Sequence, residues 1–282
     1  MSRGIEALVL AVAMTGAVAV GGPAAAQGFD MARRDDVPIE VYADEGIEWS
    51  QDGRSITARG NAKAIRGPLT VTADTLTAFY RDREGETEIH RLEAAGAVTI
   101  ASPRETATGS RAHYDLDQAV VVLSGDPARL VTPTDTVSAN DRLEYWERDR
   151  TAVAVGDVVA VRGDRRLRAQ TLRARFEPGP DGELVLARAD AEGGVSLSTA
   201  REVVTGEKGA YDAKTGIVTI TGSVKITRDD NQLNGGYALV NLNSGISTLY
   251  AAPPGAKGEG RVQGLLVPER KDGGGTPPAP PR

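Results

Sequence analysis

Val218-Thr219-Ile220-Thr221-Gly222-Ser223-Val224-Lys225-Ile226-Thr227 decides the fold. On either side of Gly222 the apolar residues take every second position, the period of a strand with one buried and one wet face. Its Val, Ile and Thr are β-branched, which suits a pleated surface. The pattern recurs around glycines followed by apolar or small residues at plus two and plus four. Gly60 leads to Ala62 and Ala64, and Gly96 to Val98 and Ile100. Gly156 leads to Val158 and Ala160, Gly193 to Val195 and Leu197, and Gly222 to Val224 and Ile226. At Gly125 the fit is looser, because Pro127 and an extra residue push Ala128 and Leu130 to plus three and plus five. Successive glycines lie 36, 29, 31, 37 and 29 residues apart.

A second column confirms the register. Thirteen residues after the five regular glycines stand Ala73, Gly109, Ala169, Gly206 and Gly235, with Ala139 fourteen after Gly125. Five further on the same face returns as Ala78, Tyr114, Ala174, Tyr211 and Val240. Ala43, 17 residues before Gly60, ends an incomplete first unit. Turn-formers separate the strands, among them Gln51-Asp52-Gly53, Asp115-Leu116-Asp117, Asp212 to Gly216 and Asn241 to Gly245. Beyond the N-terminal segment no stretch of ten residues has helical spacing, so the body is expected to be all-β.

Six units of about two strands each favour antiparallel ribbons whose apolar faces close on one another, as in a sandwich or jelly roll. Many inward positions are Ala, Val or Gly, which leaves room between the sheets.

Composition narrows the chemistry. The 282 residues are 40% hydrophobic, 26% charged and 4% aromatic, with no Cys and a net charge of −6. Zero Cys removes disulfides, thiol nucleophiles and Cys-based metal sites. A mildly acidic chain lacks the dense basic surface that nucleic acid requires. Two histidines, His90 and His113, leave little for a triad or a His-rich metal centre. Nucleophile elbow, phosphate loop and His-Glu-x-x-His are all missing. No enzyme, cofactor or metal is expected.

The N-terminus reads as an export signal. Arg3 precedes an apolar run from Ala7 to Val20, and Ala24-Ala25-Ala26 forms a small-x-small cleavage pattern before Gln27. A retained membrane anchor over Ala7 to Ala26 is the alternative, less favoured because Gly16, Gly21, Gly22 and Pro23 dilute the stretch. The expected layout is a signal peptide over 1–26, a flexible segment over 27–37, a β body over 38–251 and a Pro/Gly-rich, unstructured tail over 252–282.

Individual residues admit plain readings. Val98, Ile100, Val195, Leu197, Val224 and Ile226 suit an ordinary core, although the open-ended repeat also makes them candidates for lining a groove. Tyr114 and Tyr211 read first as packing residues and second as a gate. Arg165-Arg166-Leu167-Arg168 could meet phosphates, but alternation with Leu167 favours a solvated strand or a guard against aggregation. Asp115-Leu116-Asp117 lacks the further oxygens of a calcium loop and reads as a turn.

Several stretches resemble one family in order. Pro38 to Asp44 is similar to its opening strand, and Ala58-Arg59-Gly60-Asn61-Ala62 to its first "G-N-V" turn, with Ala62 in place of Val. Leu69 to Leu76 carries its "Ala-Asp-x-Leu", while Ala107 to Asp115 and Ile217 to Ile226 resemble later repeats. Gly260 to Pro268 resembles the closing segment of α-proteobacterial members. The family is the OstA-like periplasmic component of lipopolysaccharide export, commonly called LptA. The resemblance covers roughly residues 38 to 268, and the chain carries more repeat units than a compact member.

That resemblance implies a twisted, V-shaped β-jelly roll, open at its ends, forming part of a bridge that carries lipopolysaccharide across the periplasm. Acyl chains would lie inside, against Val98, Ile100, Val158, Ala160, Val195, Leu197, Tyr211, Val224 and Ile226. The Ile39 to Ala43 strand, with Val41, would offer one end and the Gly236 to Tyr250 hairpin, with Leu239 and Val240, the other. The implied partners are an LptC-like inner-membrane protein, an LptD-like outer-membrane translocon and further copies of the chain head to tail. Two alternatives stay open: an adaptor without its own lipid groove, including the related membrane-anchored partner, and a carbohydrate-active protein with a carboxylate pair.

Overall fold

The computed structural model describes residues 38–180, 182, 184–255 and 261–267; the expected signal peptide, the 27–37 segment and most of the tail lie outside them. Among the described residues there is no helix. The first strands are β1 (Glu40–Tyr42), β2 (Gly46–Ser50), β3 (Ser55–Arg66), β4 (Leu69–Arg83), β5 (Glu86–Ala101) and β6 (Thr106–Asp115). Four short ones follow: β7 (Val120–Ser124), β8 (Ala128–Val131), β9 (Asp135–Ala139) and β10 (Arg142–Trp146). Then come β11 (Thr151–Arg162), β12 (Arg165–Pro178), β13 (Leu184–Ser198) and β14 (Val203–Asp212). The last are β15 (Ile217–Arg228), β16 (Asn231–Asn241), β17 (Ile246–Tyr250) and β18 (Gln263–Leu265). All 18 belong to one antiparallel sheet. The sequence expectation of an all-β, OstA-like β-jelly roll holds.

Pairing follows chain order. β3 to β6 form a meander, β6 carries β7 and β8 end to end, and these pair with β10 and β9. Both lie on β11, from which the meander continues to β16. β1 and β2 share the outer side of β3, and β17 and β18 share the outer side of β16. No described strand covers the far sides of these two pairs, so the sheet has two open edges.

The repeated glycines are β-bulges. Gly60–Asn61, Gly96–Ala97, Gly156–Asp157, Gly193–Gly194 and Gly222–Ser223 all have positive φ at both residues. The register shifts at each of them, two residues standing opposite one. A bulge bends its strand and sharpens the local twist. Set on β3, β5, β11, β13 and β15 with other strands between them, these five crease the sheet into two facing walls. The thirteenth-residue column is the cross-strand partner of the position after each bulge: Ala62 faces Ala73, Val98 faces Gly109, and Val224 faces Gly235. Small residues are needed there because a Cβ on Gly206 would lie 2.5 Å from the Ile220 side chain.

Between the walls lies one core that includes Val98, Leu130, Tyr145, Phe176, Leu197 and Ile220. Ala78, Tyr114, Ala174, Tyr211 and Val240 fall on a single inward ladder across the sheet, as their spacing implies.

The tail expectation needs correcting at one place. Gln263–Leu265 pairs with Gln232–Asn234, and the Val267 amide donates to Asn231 Oδ1 at 2.9 Å. β17 covers β16 only from Tyr237 onward, which leaves the start of β16 unpaired, and the returning chain completes it.

Candidate functional site

An apolar cavity of about 250 Å³ lies between the walls in the N-terminal half. Its lining comes from β1, β3 to β7 and β10, with Val71, Leu76, Ile89, Leu92, Ile100 and Leu123 supplying much of the hydrocarbon. One inward ladder explains the space. It runs Ala58, Leu76, Ala94, Ala112 and then Leu123, so three of five consecutive positions carry only a methyl group. Glu93, His113 and Glu144 also border the cavity. Each alternates with an inward neighbour (Leu92, Tyr114, Tyr145), which puts its side chain on the outer face. Buried apolar cavities of ~150 Å³ stay dry and accept hydrocarbon, so this space is suited to an alkyl chain and not to water.

The cavity opens towards the N-terminal edge. There Ile39, Val41, Ile47, Trp49 and Ile89 are all more than a third exposed, although they belong to the inward face or its continuation. Trp49 is held edge-on to Tyr80 at 6.5 Å between ring centroids, and its indole N–H donates to the Tyr80 hydroxyl at 3.1 Å. In the other half the walls meet. Phe176, Leu184, Leu186, Leu172 and Ile220 are buried there, and the second cavity holds only about 20 Å³. The Arg165 guanidinium donates to the Leu242 carbonyl at 3.1 Å across that closed end.

Among the groove-lining residues expected from sequence, Ile100 lines the large cavity. Val98 is buried beside it. Val158, Ala160, Val195, Leu197, Tyr211, Val224 and Ile226 are sealed in the packed core. Ile39 and Val41, expected as a docking strand, line the cavity as well. β1 is an edge strand, with Ala43 in the break before β2. The other end differs. Leu239 and Val240 lie on β16, which is paired with β15 and β17, so they present no open edge; β17 and β18 do.

The remaining sequence candidates have local roles. Asp117 accepts two bonds from the Arg81 guanidinium at 2.6 and 2.7 Å, which hold its carboxyl below the usual range. Asp115 Oδ1 accepts from the Gln118 amide at 2.8 Å, closing the expected turn. The Tyr114 hydroxyl donates to Glu147 at 3.2 Å.

Tyr145, which sequence reading passed over, is 1% exposed and lines the cavity. Burial pushes its ionisation well above the ordinary tyrosine value, and its hydroxyl has no hydrogen-bond partner among the described residues. A buried polar group without a partner costs free energy. Tyr145→Phe is therefore expected to raise stability by about 1 kcal/mol, seen as a higher urea midpoint at unchanged slope.

The comparisons with known proteins fall on this architecture. The family model described as LptA/(LptD N-terminal domain) LPS transport protein matches the chain twice, over residues 40–145 and 136–246. The double match has a visible counterpart. Val41-Tyr42-Ala43-Asp44-Glu45-Gly46-Ile47-Glu48-Trp49 parallels Val137-Ser138-Ala139-Asn140-Asp141-Arg142-Leu143-Glu144-Tyr145. Hence β9 and β10 are the second copy of β1 and β2, except that β7 and β8 cover their outer side. An uncharacterized protein of Rhizobium meliloti (strain 1021) is 29% identical over 126 residues, spanning 41% of this chain and 67% of its own length. Among solved structures, the chain is similar to LptH of Pseudomonas aeruginosa, described as the LptA homologous periplasmic component of the conserved lipopolysaccharide transport device. That match is 14% identical over 82% of this chain and 96% of the other, with a TM-score of 0.22. Covered from residue 40 to 246 by two overlapping matches, the chain belongs to the LptA/(LptD N-terminal domain) family of lipopolysaccharide transport proteins.

Proposed function

We propose that the chain is a non-enzymatic periplasmic segment of a lipopolysaccharide bridge, holding acyl chains in the trough between its walls. The carrying observation is the apolar cavity that opens at the N-terminal edge. Burying hydrocarbon is worth about 0.8 kcal/mol per methylene, so a chain of ~12 carbons needs roughly 10 kcal/mol of shielding from water. A trough supplies that shielding continuously and lets a lipid slide without leaving a deep site. Directionality comes from elsewhere, since nothing in the sequence suggests nucleotide binding.

β1 and β2 would pair with a strand of an LptC-like inner-membrane partner, extending the trough through Ile39, Val41, Ile47 and Trp49. β17 and β18 would meet an LptD-like translocon or the next copy of the chain. Edge addition suits both ends, because exposed backbone donors and acceptors accept an incoming strand. The packed core around Val158, Ala160, Val195, Leu197, Tyr211, Val224 and Ile226 favours an adaptor role for that half unless the walls part as lipid passes.

Site-specific photo-crosslinking in cells making labelled lipopolysaccharide tests this. Adducts are expected with the crosslinker at Val71 and Ile100 and not at their outward neighbours Thr72 and Thr99. Adducts at Val195 would extend the trough into the closed half. No adduct at any position, with the protein folded and exported, would replace the transport reading by the adaptor one.

A further inference from the structure

The outer surface differs on the two sides of the crease. On the wall formed by β2 and the pre-bulge halves of the strands, acids and bases are mixed and many neutralise one another, although Arg111, Arg173 and Arg175 stand there without an ion pair among the described residues. Arg59 pairs with Glu48, Arg91 with Glu93, Arg142 with Glu144, Arg188 with Asp190 and Lys208 with Glu192. On the opposite wall, two outward ladders run from β1 to β18. One passes through Lys63, Arg129, Arg168 and Lys225, and its neighbour through Arg166. Their only carboxylate is Glu40, at the N-terminal edge. Every other position is Ser, Thr, Asn, Gln or an uncharged side chain. Acids return at the rims, in the turns at Asp164 and Asp229 and along the crease at Asp74 and Asp157.

All five bases are exposed, and none has an ion-pair partner among the described residues. This is unexpected in a chain with 39 acidic against 33 basic residues, where random placement would bring carboxylates onto both faces. Three steps across the sheet separate Arg129 from Arg168, and three more separate Arg168 from Lys225. At ~4.8 Å per strand these cations recur about every 14 Å along the ladder.

We infer that this wall docks a carboxylate-bearing glycan polymer. The spaced cations would meet recurring carboxylates, and the hydroxyl and amide side chains between them would bond sugar hydroxyls. A lipid surface fits less well. Away from its two edges, where Tyr42 and Leu265 stand exposed, the wall offers no Trp, Phe or Leu to enter an acyl boundary, and its outward apolar groups there are Val, Ile65 and Ala101. Because the lipid trough lies on the other face of the sheet, the inference does not depend on lipid being held there.

The test is co-sedimentation of the full chain with purified peptidoglycan sacculi. Two quadruple variants carry the same change in net charge: Arg129→Gln/Arg166→Gln/Arg168→Gln/Lys225→Gln on this wall, and Arg91→Gln/Arg142→Gln/Arg188→Gln/Lys208→Gln on the other. The native chain should sediment and be released by salt, since exposed charges are screened. The first variant should bind roughly tenfold more weakly and the second within about threefold of native. Circular dichroism checks folding, and Arg168→Gln alone should still weaken binding if the quadruple change unfolds the chain. Equal losses in both variants, no sedimentation of the native chain, or equal binding to phosphatidylglycerol vesicles would each overturn the inference.

Discussion

Gly156→Ala lowers the stability of the chain by about 3 kcal/mol, and Gly163→Ala, on the turn ending the same strand, by about 1 kcal/mol. Both glycines have positive φ, +90° and +55°, so both substitutions meet the backbone penalty. Only Gly156 also meets a neighbour. A Cβ there would sit 2.6 Å from Asp141 Cγ and 2.8 Å from the Asp141 amide nitrogen, whereas nothing lies within 4 Å at Gly163. The Asp141 amide is itself bonded to the Val155 carbonyl at 3.1 Å, so it cannot retreat without opening the pairing of β10 with β11. Urea unfolding of the two variants separates the effects. Equal losses would mean that the crease is not held by close approach, and the role assigned to the repeated glycines would fail.

Asp135→Ala is expected to cost about 3 kcal/mol. The Asp135 side chain is 2% exposed and pairs with Arg162 at 2.5 Å. Thr134 donates to the same carboxylate oxygen at 2.6 Å, and Thr132 Oγ1 accepts from the Asp135 amide at 2.9 Å. Removing the carboxylate leaves a largely buried guanidinium without its counter-charge, which is worse than lacking both partners. Asp135→Ala/Arg162→Met should therefore recover most of the loss. If the double variant is no more stable than the single, the ion pair is not what the acid provides. The comparable pair of Glu202 and Arg228, at 2.7 Å, should matter less because Arg228 is half exposed.

Local chemistry made much of this architecture readable. A glycine that starts a bulge leaves its mark at fixed distances, because the next strand must offer a small residue opposite the position after the bulge; hence Gly96 and Gly109 occur as a pair. Alternation assigned inward faces correctly on both sides of each bulge. The position of the cavity was not readable, because it depends on summed volumes across two walls. Leu197 and Ile100 occupy equivalent places in their units, yet one is sealed and the other borders open space. The difference lies in distant partners such as Phe176 and Leu186. The Gly236 to Tyr250 hairpin contains β17, one strand of the C-terminal edge, but Gln263–Leu265, the other, lies beyond a Pro/Gly-rich stretch that has no strand character. The pairing of the Val41 and Val137 stretches was present in the sequence, but a search keyed on single glycines does not reveal a period of two or more units.

A ladder that never returns to its first strand is free of a condition that closed barrels must meet. There, strand number, tilt and stagger are locked together, and a hairpin cannot be added without recutting the whole. Here β7 and β8 join β10 and β9 in the same antiparallel manner as any other neighbours. A duplicated segment can be spliced in, and the object simply becomes longer. At ~4.8 Å per strand each extra hairpin adds about 10 Å, so the distance such a protein spans is inherited as a count of repeats.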